Sequence, residues 1–171
     1  MSGAPWAELV RAFNAFWGAT AASPGPPMFA SVVQFGSSAR VTHSMVPIQR
    51  KPPALQPYYS CTCFHPAVVE AQNLINNHGP MNGYTAVVVF MSDGHAGDAS
   101  QAAHVLASLA QQYPGRFESH TVGFGSNAPR TLESMAFANG QQDKNKYRAA
   151  AVGNLTEAFM AVAKSISPGR V

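Results

Sequence analysis

The apolar residues of the N-terminal segment recur at intervals of three and four, which places them on one face of a helix. These residues are Trp6, Leu9, Val10, Phe13 and Trp17. Pro5 suits the first turn of a helix, and the Ser-Pro-Gly-Pro-Pro run that starts at Ser23 cannot continue one. The pattern therefore predicts an amphipathic helix that begins at Pro5 and ends before Ser23.

The next segments have the period of a strand. Phe29 to Phe35 is rich in β-branched and aromatic residues, and Arg40 to Met45 alternates after a Gly-Ser-Ser turn, so the two predict a hairpin. Residues 46–60 contain four prolines and are expected to be irregular. Thr85 to Met91 is continuously apolar, which is typical of a strand buried on both faces of a sheet.

Helices and strands alternate along the rest of the chain. Helical spacing follows Pro66 and returns over residues 102–113, 129–138 and 155–166, and strands are predicted at 118–124 and 147–152. This order predicts an α/β domain with a doubly wound, mostly parallel sheet and helices on both faces. We expect residues 1–171 to form a single domain.

Composition narrows the classes of protein that the chain can belong to. Of its 171 residues, 46% are hydrophobic and 11% are charged, a balance opposite to that of disordered chains. The net charge is +3, but the basic residues are scattered, so we expect no nucleic-acid surface. The longest apolar run is far shorter than a membrane span, and no apolar leader opens the chain. Cys61 and Cys63 are one residue apart, which places their Cα atoms near the upper limit of disulfide geometry, so we expect no bridge between them and a reduced, cytoplasmic setting.

One carboxylate stands where ligands bind in this class of fold. Asp93 directly follows the apolar strand, and Gly94 lets the backbone turn behind it. Ligands of doubly wound sheets lie outside the carboxyl ends of the strands. Asp93 could instead cap the next helix, but Asp98 and Ser100 are closer to that helix. We therefore favour a functional role for Asp93.

Four segments together resemble the von Willebrand factor type A domain, in that family's order and over nearly the whole chain. They are FASVVQFGSSARVTHS (29–44), TAVVVFMSDG (85–94), HTVGFG (120–125) and NLTEAF (154–159). The resemblance implies a doubly wound sheet with a metal-ion-dependent adhesion site, where an Asp-x-Ser-x-Ser loop, a Thr and an Asp hold a divalent ion. It also implies a protein-interaction module, not an enzyme, whose partner presents an acidic residue.

Two residues of this chain match the metal ligands of that family. Asp93 matches the distant Asp, and Thr62 matches the distant Thr, although Ser60 and Cys61 stand where the family usually has glycines. Without the resemblance, Thr62 would be interpreted as an ordinary loop or capping hydroxyl. The implied cofactor is Mg²⁺, or else Mn²⁺ or Ca²⁺, since hydroxyls and carboxylates are hard oxygen ligands.

The Asp-x-Ser-x-Ser loop is absent from the sequence, which enters its first helix within a few residues of Met1. We interpret this as the loss of a central first strand between the Phe29 and Thr85 strands, which makes the domain N-terminally truncated. Each buried backbone group left unpaired costs about 1–3 kcal/mol, so we expect the isolated chain to fold poorly or to close the gap by non-native pairing. With two of five ligands retained, cation binding is expected to be weak or absent.

Two other chemistries remain open as alternatives. Gly123 to Ala128 (GFGSNA) fits a dinucleotide fingerprint, with Asp143 twenty residues beyond Gly123, but that aspartate lies in a polar loop where it would not meet a ribose. The other is a soft-metal site at Cys61, Cys63 and His65, which has no second cysteine pair to complete it. The sequence contains no G-x-S-x-G elbow and no P-loop.

Overall fold

A computed structural model of the protein describes residues 3–57, 61–124, 131–136, 146–151 and 153–166. Its helices are α1 (Gly3–Ala22), α2 (His65–His78), α3 (Ala99–Gln112), α4 (Thr131–Ala136) and α5 (Leu155–Ile166). Its strands are β1 (Phe29–Phe35), β2 (Ala39–Pro47), β3 (Ala86–Ser92), β4 (Phe117–Phe124) and β5 (Tyr147–Ala150). A 3-10 turn, Pro80–Asn82, separates α2 from β3.

The second half of the chain forms a parallel sheet in the order β3-β4-β5. Ala86 pairs with Phe117 and Ser92 with Gly123, while Thr121 on the other edge of β4 pairs with Tyr147. Parallel neighbours need a crossover connection, which α3 provides between β3 and β4. The predicted alternation of strands and helices is therefore confirmed here as a mixed α/β fold with a three-stranded parallel sheet.

The predicted hairpin is also present. β1 pairs with β2 in antiparallel fashion, from Phe29 opposite Pro47 to Phe35 opposite Ala39. Its register shifts around Ser31, whose hydroxyl accepts a 3.0 Å hydrogen bond from the Met45 amide. Within the described residues, this hairpin forms a two-stranded sheet of its own, separate from β3-β4-β5.

Helices cover both faces of the parallel sheet. The first core lies on the side of α2, α3 and α4, where Phe64, Leu106 and Met135 are fully buried. The second core lies on the side of α1 and α5, where Phe159 packs with Val122 and Phe124 of β4. Each core removes a different set of alternating β4 side chains from water, so β4 is the most completely buried strand.

The helix α1 is tied to the rest of the molecule at both ends. Near its beginning, the buried Glu8 carboxylate accepts hydrogen bonds from the amides of Gly153 and Leu155, at the start of α5. Near its end, the buried Trp17 indole donates a 2.8 Å hydrogen bond to the Arg50 carbonyl. Because α5 begins where β5 ends, the first contact places the beginning of α1 at the carboxyl edge of the parallel sheet.

The expectation that the Thr85–Met91 strand is buried on both faces is met in part, since its side chains contact the cores on both faces of the sheet but most of them are only partly buried. β3 is the edge strand of its sheet, and the side chain of Val87 is 36% exposed. The apolar side chains of β3 pack against the two cores. In the part of the chain that the structure describes, however, the backbone of β3 has a partner strand only on the side of β4.

Among the described residues, no helix combines the length and the apolar character that crossing a membrane requires.

Candidate functional site

Asp93 lies at the carboxyl edge of the parallel sheet, as predicted. It follows Ser92, the last residue of β3, and its side chain is exposed. The turn around it is compact, because the Gly94 amide donates a 3.1 Å hydrogen bond to the hydroxyl of the buried Ser92. The carboxylate thus projects from a short, internally bonded turn at the end of a rigid strand, where ligands of such sheets bind.

Thr62 lies against this same turn. Its Oγ1 atom is 3.0 Å from the position that a Cβ atom on Gly94 would occupy, and its own Cβ and Cγ2 are 3.6 Å from that point. A side chain at residue 94 would therefore meet the Thr62 hydroxyl at a distance shorter than most Cβ contacts, so that Thr62 would have to shift to make room for it. The structure brings the two predicted site residues into adjoining loops, with the hydroxyl beside the residue that follows Asp93.

The loop that carries Thr62 is fixed by Asp98. The Asp98 carboxylate accepts a 2.9 Å hydrogen bond from the Phe64 amide and another of 2.9 Å from the His65 amide. These amides lie at the start of α2, where free N–H groups and the helix dipole favour a negative charge. A third hydrogen bond, of 2.9 Å from the Cys63 amide to the Gly36 carbonyl, joins the loop to the hairpin.

The role of Asp98 corrects the sequence-based interpretation. Asp98 occupies the N-cap position of α3, as expected, but its side chain forms no capping hydrogen bond to that helix. It caps α2 instead, 33 and 34 residues earlier in the chain. Local spacing gives no signal for this contact, because an Asp before a helix is ordinarily assigned to its own helix.

The Thr62 hydroxyl and the Asp93 carboxylate are ligands of the type that a hard divalent cation prefers, but two ligands are too few to complete its coordination shell. A threonine hydroxyl and an aspartate carboxylate are both oxygen ligands of the type that Mg²⁺ and Ca²⁺ prefer. They supply two of the roughly six positions that Mg²⁺ fills, and water can supply several more. Within the described ranges, no group of three or more His, Cys, Asp or Glu side chains could hold a metal ion.

The two alternative chemistries gain no support. Cys61, Cys63 and His65 do not form a metal-binding group in the described part of the chain, and the two cysteines are not joined in a disulfide. For the dinucleotide fingerprint, Gly123 and Phe124 end β4, whereas residues 125–128 and Asp143 lie outside the described residues.

A buried histidine that the sequence analysis did not single out lies in the interior of β4. The imidazole of His120 is 3.3 Å from the Glu118 carboxylate through Nε2, and its buried Nδ1 has no hydrogen-bond partner among the described residues. Desolvation by burial lowers the pKa of His120, and the nearby charges of Lys146 and Arg148 act in the same direction, although Glu118 opposes them. The group lies at the middle of the sheet and not at its carboxyl edge, so it is not part of the candidate site.

The comparisons with known proteins bear on the fold. No protein-family model matches the chain. No curated protein matches it either. Among solved structures, the chain is similar to proximal thread matrix protein 1 from the mussel byssus, with a TM-score of 0.62 and 13% identity, over 92% of this chain and 40% of that one. The chain thus spans about two fifths of the mussel protein, and at this identity the likeness shows a shared α/β fold alone.

Proposed function

We propose that this domain is a protein-interaction module of the von Willebrand factor A type, whose binding surface is the carboxyl edge around Thr62 and Asp93. In this proposal a divalent cation, Mg²⁺ or else Mn²⁺ or Ca²⁺, joins the Asp93 carboxylate and the Thr62 hydroxyl to an acidic side chain of another protein. The observation that supports it most is the contact of Thr62 with Gly94, which puts a hydroxyl next to the turn that carries Asp93.

The charge of a cation bound at this edge would favour an acidic partner. A cation held by a single carboxylate keeps net positive charge, which a carboxylate from a partner can neutralise while filling a coordination position. Asp93 is exposed, so that both the cation and the partner can reach it from solvent. The rigid support from Asp98 and the Ser92–Gly94 bond holds the two ligands in place and limits the entropy lost on binding.

The proposal also includes a central strand and its Asp-x-Ser-x-Ser loop, which the 171 residues do not contain. Its place is between β1 and β3, the two strands that stay unpaired with each other in the structure. A strand there would end at the same carboxyl edge as β3, beside Asp93. Without that strand and its loop, we expect this chain to bind the cation only weakly, through Thr62 and Asp93.

The test uses Mn²⁺ as a paramagnetic probe in amide NMR spectra of the purified chain, because broadening reports weak binding at identified residues. We expect the amide signals of Thr62 and Gly94 to broaden first and Asp93→Asn to abolish that selectivity. Glu157→Gln, at an exposed carboxylate on α5, is the matched control and should leave the pattern unchanged. A short aspartate-containing peptide should tighten Mn²⁺ binding, since linkage between two ligands is reciprocal.

Broadening spread evenly over the surface, or broadening at Thr62 and Gly94 that survives Asp93→Asn, would rule out this site. Tightening by a matched asparagine peptide would rule out an acidic partner.

A further inference from the structure

A groove follows the free edge of β5, the last strand of the parallel sheet. In the described part of the chain, β5 pairs with β4 on one side and has no partner strand on the other. A cavity of about 390 Å³ lies there and is open to solvent. Five consecutive residues, 147–151, form one wall, and residues 154, 157, 158 and 161, at the start of α5, form the other. We call this cavity the β5–α5 groove.

The backbone of β5 lines this groove as well as its side chains. Successive side chains of a strand point to opposite faces of a sheet, so a cavity confined to one face would be lined by alternate residues. Here all of residues 147–151 line the cavity, which therefore follows the edge of the strand. An unpaired edge presents N–H and C=O groups that can pair with another extended chain.

The side chains around the groove are small. Five of the nine lining residues are alanines, namely Ala149, Ala150 and Ala151 on the strand side and Ala158 and Ala161 on α5. Residues three apart lie on the same side of a helix, so both helical alanines face the groove. An added strand would lie about 4.8 Å from β5, and alanine side chains on the helix beside it leave room for that approach.

Arg148 gives the groove a positive charge without a partner. It lines the groove, its buried Nε atom has no hydrogen-bond partner among the described residues, and it forms no ion pair with them. Lys146 differs, since its ammonium group is 3.5 Å from the Glu118 carboxylate. A carboxylate is the best partner for a guanidinium group, because the two can form paired, charge-assisted hydrogen bonds.

Glu157 lines the opposite wall but does not neutralise Arg148. Its side chain is exposed on α5, where water and salt screen the carboxylate, and no ion pair joins it to Arg148 in the structure. The buried Nε atom of Arg148 is screened much less. The groove therefore favours a ligand that supplies its own carboxylate.

We propose that the β5–α5 groove binds an extended segment of another protein, which adds to the sheet beside β5 and places an acidic side chain against Arg148. In strand addition of this kind, backbone hydrogen bonds provide affinity and side-chain contacts provide specificity. A charged residue on an edge strand disfavours unspecific pairing, and here it selects segments of the opposite charge. Within the described sheet β5 and β3 are opposite edges, so this inference does not rest on the proposed cation site.

The probe is a fluorescent, end-capped, seven-residue peptide of alternating threonine and valine with glutamate at its centre. Binding is measured in EDTA, so that no divalent cation contributes. Fluorescence anisotropy should show saturable binding, and hydrogen exchange should become slower in residues 147–151. The same peptide with central glutamine should bind about ten-fold more weakly, because it loses a charge-assisted hydrogen bond.

Matched variants locate the binding surface. Arg148→Met should weaken the glutamate peptide about ten-fold and the glutamine peptide by less than about two-fold, whereas Arg11→Met, at an exposed arginine of α1, should leave both within about two-fold. Ala161→Leu narrows the groove and should weaken both peptides, whereas Ala7→Leu, at an exposed alanine of α1, should weaken neither. Circular dichroism of each variant checks that the fold is kept.

Three results would overturn the proposal. The first is no saturable binding in EDTA, and binding that appears only when Mg²⁺ replaces EDTA would place the peptide at the cation site instead. The second is equal binding of the glutamate and glutamine peptides, or equal losses in Arg148→Met and Arg11→Met, which would show that net charge alone sets the affinity. The third is a dimer without peptide that Ala161→Leu dissociates in light scattering, which would identify a second copy of the chain as the occupant.

Discussion

The carboxylate of Asp98 accepts a 2.9 Å hydrogen bond from the backbone amide of Phe64, at the start of a helix other than its own. Together with the bond from His65, it joins the turn after β3 to the loop that carries Thr62. The two loops of the candidate site are therefore bonded to each other through Asp98, and the strength of this contact can be measured.

Replacing Asp98 by alanine should destabilise the protein by about 1–2 kcal/mol, because it removes the cap of α2. Urea unfolding followed by circular dichroism measures the change. Asp93→Ala, at an exposed carboxylate five residues earlier, is the control and should shift stability by less than about 0.5 kcal/mol. Equal effects of the two substitutions would contradict the capping role of Asp98.

Replacing the buried Glu8 by alanine should have a similar effect at the other side of the molecule. Its carboxylate accepts bonds from Gly153 and Leu155, and the loss of a buried acceptor leaves two amides without their partner. We expect a loss of about 1–3 kcal/mol in urea unfolding. Glu157→Ala, on the exposed side of α5, should be nearly neutral.

The packing of Gly94 against Thr62 predicts a pair of coupled substitutions. Gly94→Ala should destabilise the protein by about 1–3 kcal/mol, because its Cβ would lie 3.0 Å from Thr62 Oγ1. Thr62→Ala removes that oxygen, so the double variant should recover part of the loss in a thermodynamic cycle. Strictly additive effects would show that the two residues do not touch in solution.

Stability should depend on pH through His120. Burial lowers its pKa below the ordinary 6.5, although Glu118 opposes this and Lys146 and Arg148 reinforce it. The unfolded chain therefore takes up the proton first, so the contribution is complete above pH 6.5 and is lost as the pH falls toward the lower folded pKa.

The slope from this one group is at most about 1.4 kcal/mol per pH unit. Urea unfolding between pH 5 and 8 measures it. His120→Phe should flatten the profile, whereas the exposed His104→Gln should leave it unchanged. An unchanged slope in His120→Phe would assign the effect to other groups.

The unpaired strand edges predict low cooperativity for the isolated chain. Net stabilities are about 5–15 kcal/mol, and each buried backbone group without a partner removes about 1–3 kcal/mol. We expect a broad thermal transition and weak near-ultraviolet dichroism from Trp6 and Trp17. A sharp transition whose calorimetric and van't Hoff enthalpies agree would contradict this.

The sequence predicts the helices and strands well where neighbouring residues determine their bounds. The bounds of β1 follow from β-branched and aromatic residues between a proline run and Gly36, and those of α3 from its apolar period and Pro114-Gly115. It places Asp93 at the correct edge of the sheet, because that position depends only on the strand before it.

Sequence patterns do not predict the features that depend on contacts between residues far apart along the chain. The apolar run of β3 shows what its side chains prefer, but whether its backbone has a neighbour on each side depends on another segment. The same holds for Asp98, whose partners are 33 and 34 residues away. The contact of Thr62 with Gly94 has no local signal either, since residue spacing does not record how two loops pack.

The bond between Glu8 and Leu155 joins residues 147 positions apart. Since the second core is built largely from α1 and α5, it is complete only after α5 has been synthesised. At a synthesis rate of 5–20 residues per second, about 7 to 30 s pass between the synthesis of Glu8 and that of Leu155, and during this time the apolar face of α1 has no partner helix. Folding of this domain therefore depends on contacts of high sequence separation, and α1 can dock in its final place only after α5 has been synthesised.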